Sequence, residues 1–135
     1  MSTGNARVAA LATFGALAIF YLGSVIINFI SWGWAWTLEA ARAESALAYS
    51  LTLRIIGGVI SLILFVLCAG HRKMRRVRTF LAWLLALGVS IVLVIDIFAP
   101  PQTVVSSEAV VWLIAAGIIV VHLFGAIAAQ RVTPK

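Results

Sequence analysis

Acidic side chains are scarce in this chain: 135 residues hold four of them, against ten lysines and arginines. Cysteine occurs once, as Cys68, which excludes an internal disulfide and a cysteine cluster for zinc. No Asn-x-Ser/Thr is present, so no N-glycan can mark an external face. Prolines number three, and two of them are adjacent, Pro100 and Pro101. Nothing resembles a nucleophile–base pair, a phosphate-binding glycine loop, an HExxH pair or a carboxylate cluster. The chain therefore reads as non-catalytic, and no metal or cofactor is expected.

Apolar residues fill the space these absences leave. The composition is 64% hydrophobic and 10% charged, with a mean hydropathy of +1.14. A soluble domain carries about 25% charged residues, and a small one buries only about two thirds of its unfolded surface. The surplus cannot be hidden inside 135 residues, so most of this chain must face lipid.

Four apolar stretches reach the roughly 20 residues that cross hydrocarbon as a helix. They run over about 8–30, 46–70, 79–99 and 109–129. In lipid each segment must satisfy its own backbone hydrogen bonds, so each is read as an α-helix. The expected fold is an all-α integral membrane protein, a single antiparallel four-transmembrane-helix bundle. "ARA" at 41–43 has the form of a signal-peptidase site, but it lies too far beyond an apolar run that is itself too long. The first stretch is therefore expected to stay attached.

Charge is divided by end. The octet "HRKMRRVR" (71–78) joins the second and third spans and carries Arg72, Lys73, Arg75, Arg76 and Arg78. Arg7, Arg131 and Lys135 fall at the same end; Glu39, Glu44, Glu108 and Arg42 fall at the other. Lys and Arg are retained in short cytoplasmic loops. Both termini and the basic hairpin are thus expected in the cytoplasm, and the protein in the cell's inner (plasma) membrane. At that surface the hairpin would attract anionic lipid headgroups. Nucleic acid is not the expected partner, since an eight-residue hairpin carries no groove-reading or stacking element. Trp32, Trp34, Trp36, Trp83 and Trp112 all fall near span ends, where an indole meets both apolar and hydrated surroundings.

Small residues recur at helical spacing and mark candidate contact stripes. These are Ala12, Ala16 and Gly23 in the first span, and Gly57, Gly58 and Ser61 in the second. The third offers Ala82, Ala86 and Ser90, and the fourth Ala115, Gly125 and Ala129.

A few polar groups fall inside the spans, where ionisable residues are expensive. Arg54 lies about eight residues inside the second span, roughly 12 Å deep, and Asp96 about three residues inside the third, roughly 5 Å deep. Spans joined by a hairpin are expected to be neighbours, so an Arg54–Asp96 ion pair is expected, assisted by Ser50 one turn above. Asn28 is expected to bond between helices. His122 faces the same side as Ala115, Gly125 and Ala129, and is expected as a buried neutral histidine bonded to a carbonyl or hydroxyl. The only other histidine, His71, differs from it in depth by roughly 10 Å, which argues against a bis-histidine haem.

The basic hairpin, the span that ends before "APPQ" and the closing "VVHLFGAIAAQR" resemble small four-span membrane proteins of unknown function common in actinobacteria. The resemblance covers most of the chain and implies a four-span fold, with no established catalytic residues to carry over. The role expected is an accessory or interaction subunit of a membrane assembly, with a membrane-protein partner or as a homo-oligomer. The alternative is a small oligomeric transporter or channel using Arg54 and Asp96.

Overall fold

The four apolar stretches each fold into one long helix: α1 (Thr3–Trp32), α2 (Ser45–Ala69), α3 (Arg75–Phe98) and α4 (Glu108–Arg131). The computed structural model describes residues 3–33, 38–40, 45–70, 74–98 and 108–132. Among these there is no strand. Helices of 24 to 30 residues are about 36–45 Å long at 1.5 Å per residue. The hydrocarbon layer is about 30 Å thick, so all four are long enough, and apolar enough, to cross it.

Helix ends overrun the apolar spans for local reasons. α3 begins at Arg75, inside the basic hairpin, because the Met74 carbonyl accepts the Arg78 N–H at 2.9 Å and arginine is a good helix former. α1 stops where Gly33 takes φ +78°, a left-handed conformation that glycine adopts without strain just past a helix C-terminus. Thr37, Arg42, Glu44, Ser106 and Ser107 lie outside the described residues, as do Trp34, Trp36, Arg72 and Lys73.

Around the bundle α1 packs between α2 and α4, and α3 packs on α4, while α2 and α3 touch least. Joined by the shortest connection, they are nonetheless the loosest adjacent pair. The reason is the distribution of small side chains. Ala6, Ala10, Ala82, Ala86, Ala126, Ala128 and Ala129 are buried with Phe14, Leu64 and Cys68 at the basic end. Small residues there let backbones approach. Towards the opposite end the buried set thins to Val25, Leu51 and Ala115, and the helices splay.

Three of the four expected contact stripes are buried or partly buried: Gly57, Gly58 and Ser61; Ala82, Ala86 and Ser90; Ala115, Gly125 and Ala129. The first-span stripe is corrected. Ala12 and Ala16 are exposed and nothing lies near Gly23, while α1 packs instead through Ala6, Ala10, Phe14 and Leu17. Phe14 explains the shift, because its ring fills the space beside Gly125, where an added Cβ would lie 3.2 Å from it. Outward faces on all four helices carry large apolar side chains, among them Ile19, Ile30, Val66, Phe80 and Leu113. In water such surface would aggregate; in lipid it is the ordinary exterior.

Candidate functional site

Polar side chains occur at three levels along the bundle, and each level is built by different helices. At the end opposite the basic hairpin, Arg54 of α2 turns towards α1. Its Nε donates to the Ser50 carbonyl at 3.4 Å and its Nη1 to Ser24 Oγ at 3.3 Å. The Asn28 amide, with its oxygen turned to Arg54, accepts from Nη2 at 3.1 Å and donates to the Ser24 carbonyl at 3.2 Å. Ser24 Oγ in turn donates to the Tyr21 carbonyl at 2.8 Å. The network exists because Ser24 and Asn28 are four apart on one face of α1, directly opposite the α2 face that carries Arg54.

The structure therefore joins Arg54 to Asn28 and to the Ser50 main chain, as part of one α1–α2 contact. Asp96 is on α3, and its side chain lies outside what is described. Ser50 contributes its carbonyl to the contact, one turn nearer the helix end, and so draws the guanidinium outward, as a snorkelling arginine does.

The middle level is a pair that crosses from α1 to α4. Tyr21 Oη lies 2.8 Å from His122 Nε2, and His122 Nδ1 lies 2.7 Å from the Ile118 carbonyl. A carbonyl only accepts, so Nδ1 carries the proton and Nε2 accepts from the Tyr21 hydroxyl. Both ring nitrogens are thus engaged, and the histidine is buried. Its hydroxyl partner is new, because a contact 101 residues away leaves no local trace in the sequence. Tyr21→Phe is expected to lower bundle stability by about 1 kcal/mol, a typical value for one interhelical hydrogen bond. Reversible unfolding in mixed micelles measures it, and no change would mean the bond is idle.

The third level is the basic end. Arg78, expected to belong to the solvated hairpin, is 1% exposed. Its Nε donates to the Ala129 carbonyl at 3.0 Å, and its Nη2 donates to the Val132 carbonyl. The physical reason is the end of α4, whose last carbonyls have no helical partners. A forked guanidinium from α3 adds to the 3.4 Å bond that the Ala129 carbonyl accepts from the Val132 N–H, engages the Val132 carbonyl just past the helix, and places positive charge at the negative end of the helix dipole. Arg75 and Arg76 remain exposed, as expected of the hairpin. Trp83 is half-buried with Nε1 3.4 Å from Gln130 Oε1, and Trp112 is 45% exposed. The indole of Trp32 is outside what is described.

Sequence reading missed the Arg78 cap, although a signal for it exists. Arg78, Ala82, Ala86 and Ser90 follow at intervals of four, so the arginine continues the buried stripe of α3. Two further hydroxyls are satisfied within their own helices, Ser61 donating to the Gly57 carbonyl at 2.7 Å and Ser90 to that of Ala86 at 2.7 Å, whereas the buried Thr79 hydroxyl has no partner among the described residues.

Splaying of the bundle opens two clefts. One, of 390 Å³, lies between α2 and α3 and is lined by Tyr21, Arg54, Gly57, Leu84, Gly88 and Val92 among others. The other, of 290 Å³, lies between α1 and α4 beside Gly117 and His122. Phe20, Tyr21 and Ile118 line both, so the Tyr21–His122 pair stands between the two clefts. Among the described residues no group of three His, Cys, Asp or Glu side chains converges in a way that would hold a metal.

Compared with known proteins, the chain matches no family model, no curated protein and no solved structure. Its fold and composition define a small four-helix protein of the membrane-spanning class.

Proposed function

We propose that this chain is a non-catalytic interaction subunit. It would lend apolar helix faces, and a basic rim at one end, to a larger assembly in the plasma membrane. The observation that supports this reading most directly is where the polar groups point. Arg78 is turned inward onto carbonyls of α4, His122 onto Tyr21 and Ile118, and Ser61 and Ser90 onto their own helices. Arg78 and the Tyr21–His122 pair hold helices together, and Ser61 and Ser90 are satisfied locally. What faces outward is mainly apolar on all four helices, with exposed Arg75, Arg76, Gln130 and Arg131 at the basic end and Ser50 and Thr52 towards the other. Such a surface binds lipid and other helices.

The positive-inside rule favours a cytoplasmic position for the basic rim, close to anionic headgroups. Photo-crosslinking from Leu113 and Arg76 in native membranes, followed by mild-detergent purification, tests the proposal. A discrete crosslinked membrane protein, either another chain or a second copy, is the expected result. Reconstituted alone in liposomes, the protein is expected to pass no ions or small solutes. A flux that Arg54→Ala abolishes while the helices stay intact would overturn the proposal in favour of a transporter.

A further inference from the structure

We infer that the cleft between α2 and α3 is a site for one anionic phospholipid, with an acyl chain in the cleft and the phosphate on Arg54. This site is independent of the accessory role proposed above and can fail without it. Four observations bear on it.

The first is size and lining. At 390 Å³ the cleft is in the range of small-ligand pockets, and its walls are apolar, from Leu53 and Ile56 on one side to Leu84 and Val92 on the other. An α-helix is about 10 Å across with its side chains. An acyl chain is narrow and flexible, and it can enter sideways from the bilayer through the loose α2–α3 seam.

The second is charge and level. Among the described residues, the partners of Arg54 are Ser24 Oγ, the Asn28 amide oxygen and the Ser50 carbonyl, all neutral acceptors that orient the guanidinium without cancelling its charge. Ser50 is two residues inside the apolar window that begins at Ala48, so the guanidinium is held within a few ångströms of the headgroup layer, at about 1.5 Å per residue. A lipid phosphate reaches that level while its chain descends beside Gly57 and Gly88.

The third is the position of the glycines. Those at helix contacts are filled from across the interface: an added Cβ would meet Leu22 at 2.5 Å from Gly58, and Thr13 at 2.9 Å from Gly125. At Gly88 it would meet nothing within 4 Å. No close approach of helices requires a glycine there, yet it forms part of the cleft wall. A larger residue would occupy the space an acyl chain needs.

The fourth is the direction of the cleft. It runs from the middle of the bundle, at Tyr21 and Leu84, towards the end that carries Arg54 and Leu93. Chain and headgroup are thus ordered as they are in the adjoining leaflet.

Native mass spectrometry of the purified protein, titrated separately with phosphatidylglycerol and phosphatidylcholine of the same acyl chains, tests the site. One phosphatidylglycerol per chain is expected to be retained, about tenfold more tightly than phosphatidylcholine, because both present a phosphate to Arg54 but the choline cation of phosphatidylcholine offsets the attraction. Arg54→Gln is expected to bring the two lipids within about twofold of each other. Gly88→Leu, whose Cβ has open space and whose side chain would take up part of the cleft, is expected to lower retention of phosphatidylglycerol about tenfold or more. Val92→Phe fills it from the next turn of the same helix and serves if Gly88→Leu does not fold. Replacing both Arg75 and Arg76 by Gln is expected to leave the retained lipid in place, which separates this site from headgroup attraction at the basic end. Equal retention of the two lipids by the unaltered protein overturns the inference. So does full retention in both cleft-filling variants, or a dimer that closes the cleft and excludes lipid.

Discussion

Arg78→Met is expected to destabilise the bundle by about 3 kcal/mol, while Arg75→Met and Arg76→Met change it by less than about 0.5 kcal/mol. All three belong to one basic run and would be interchangeable if charge at the membrane surface were their only role. Arg78 alone is buried, with its guanidinium forked between the Ala129 and Val132 carbonyls. Hydrogen bonds from a charged donor contribute about 1.5–3 kcal/mol each, and two are lost together. Their loss also leaves the Ala129 carbonyl with only the 3.4 Å bond from the Val132 N–H, and takes the arginine donor from the Val132 carbonyl, in a region packed by Ala6, Cys68 and Val132. Relief from burying the charged group offsets part of this; hence the lower end of the summed range. Arg78→Lys is expected to recover about half, because an ammonium is a point donor and cannot fork between two carbonyls. Unfolding in mixed micelles, followed by helical circular dichroism, separates the three positions. Equal effects at all three would remove the cap from the account.

Gly58→Ile is the second large effect, expected at about 2–3 kcal/mol or as outright failure to assemble. α1 and α2 form the most extensive interface in the molecule, and Gly58 is its tightest point. A Cβ there would lie 2.5 Å from Leu22 Cγ and 3.3 Å from the Leu22 main-chain nitrogen. The γ-carbon of leucine is near the backbone and cannot swing aside, so the helices themselves must separate. Leu22→Ala in the same chain is expected to return more than about 1 kcal/mol, a coupling that identifies the contact. Some loss should remain, since the main-chain approach is unchanged. Gly88→Ala serves as the control and is expected to be neutral, because nothing lies within 4 Å of the added atom.

These two positions also show what the amino-acid order makes legible. Four long apolar runs and the stripes at Gly57, Ala82 and Ala115 can be read directly, because helix period and membrane thickness leave little freedom. The burial of His122 could be read the same way, from the small residues that share its face. Three features could not. The Arg54 contact depends on which face of α1 meets α2, and Phe14 rotates that face away from Ala12 and Ala16. The Tyr21–His122 bond joins the first helix to the last. The looseness of α2 against α3 is a property of where alanines cluster in all four helices at once, which no single span reveals. Arg78 is the instructive intermediate: its interval of four from Ala82 was visible, but the strength of the basic run concealed it.

The four crossings themselves are tested most directly by thiol labelling at two exposed positions that flank α2, Glu39 and Met74. Glu39→Cys and Met74→Cys, each in a Cys68→Ala background, are treated in intact cells with a reagent that cannot cross the membrane. Cysteine at 39 is expected to react at once, and cysteine at 74 only after the membrane is opened. If both react from the same side, α2 does not span the bilayer, and the arrangement of all four helices described above is wrong.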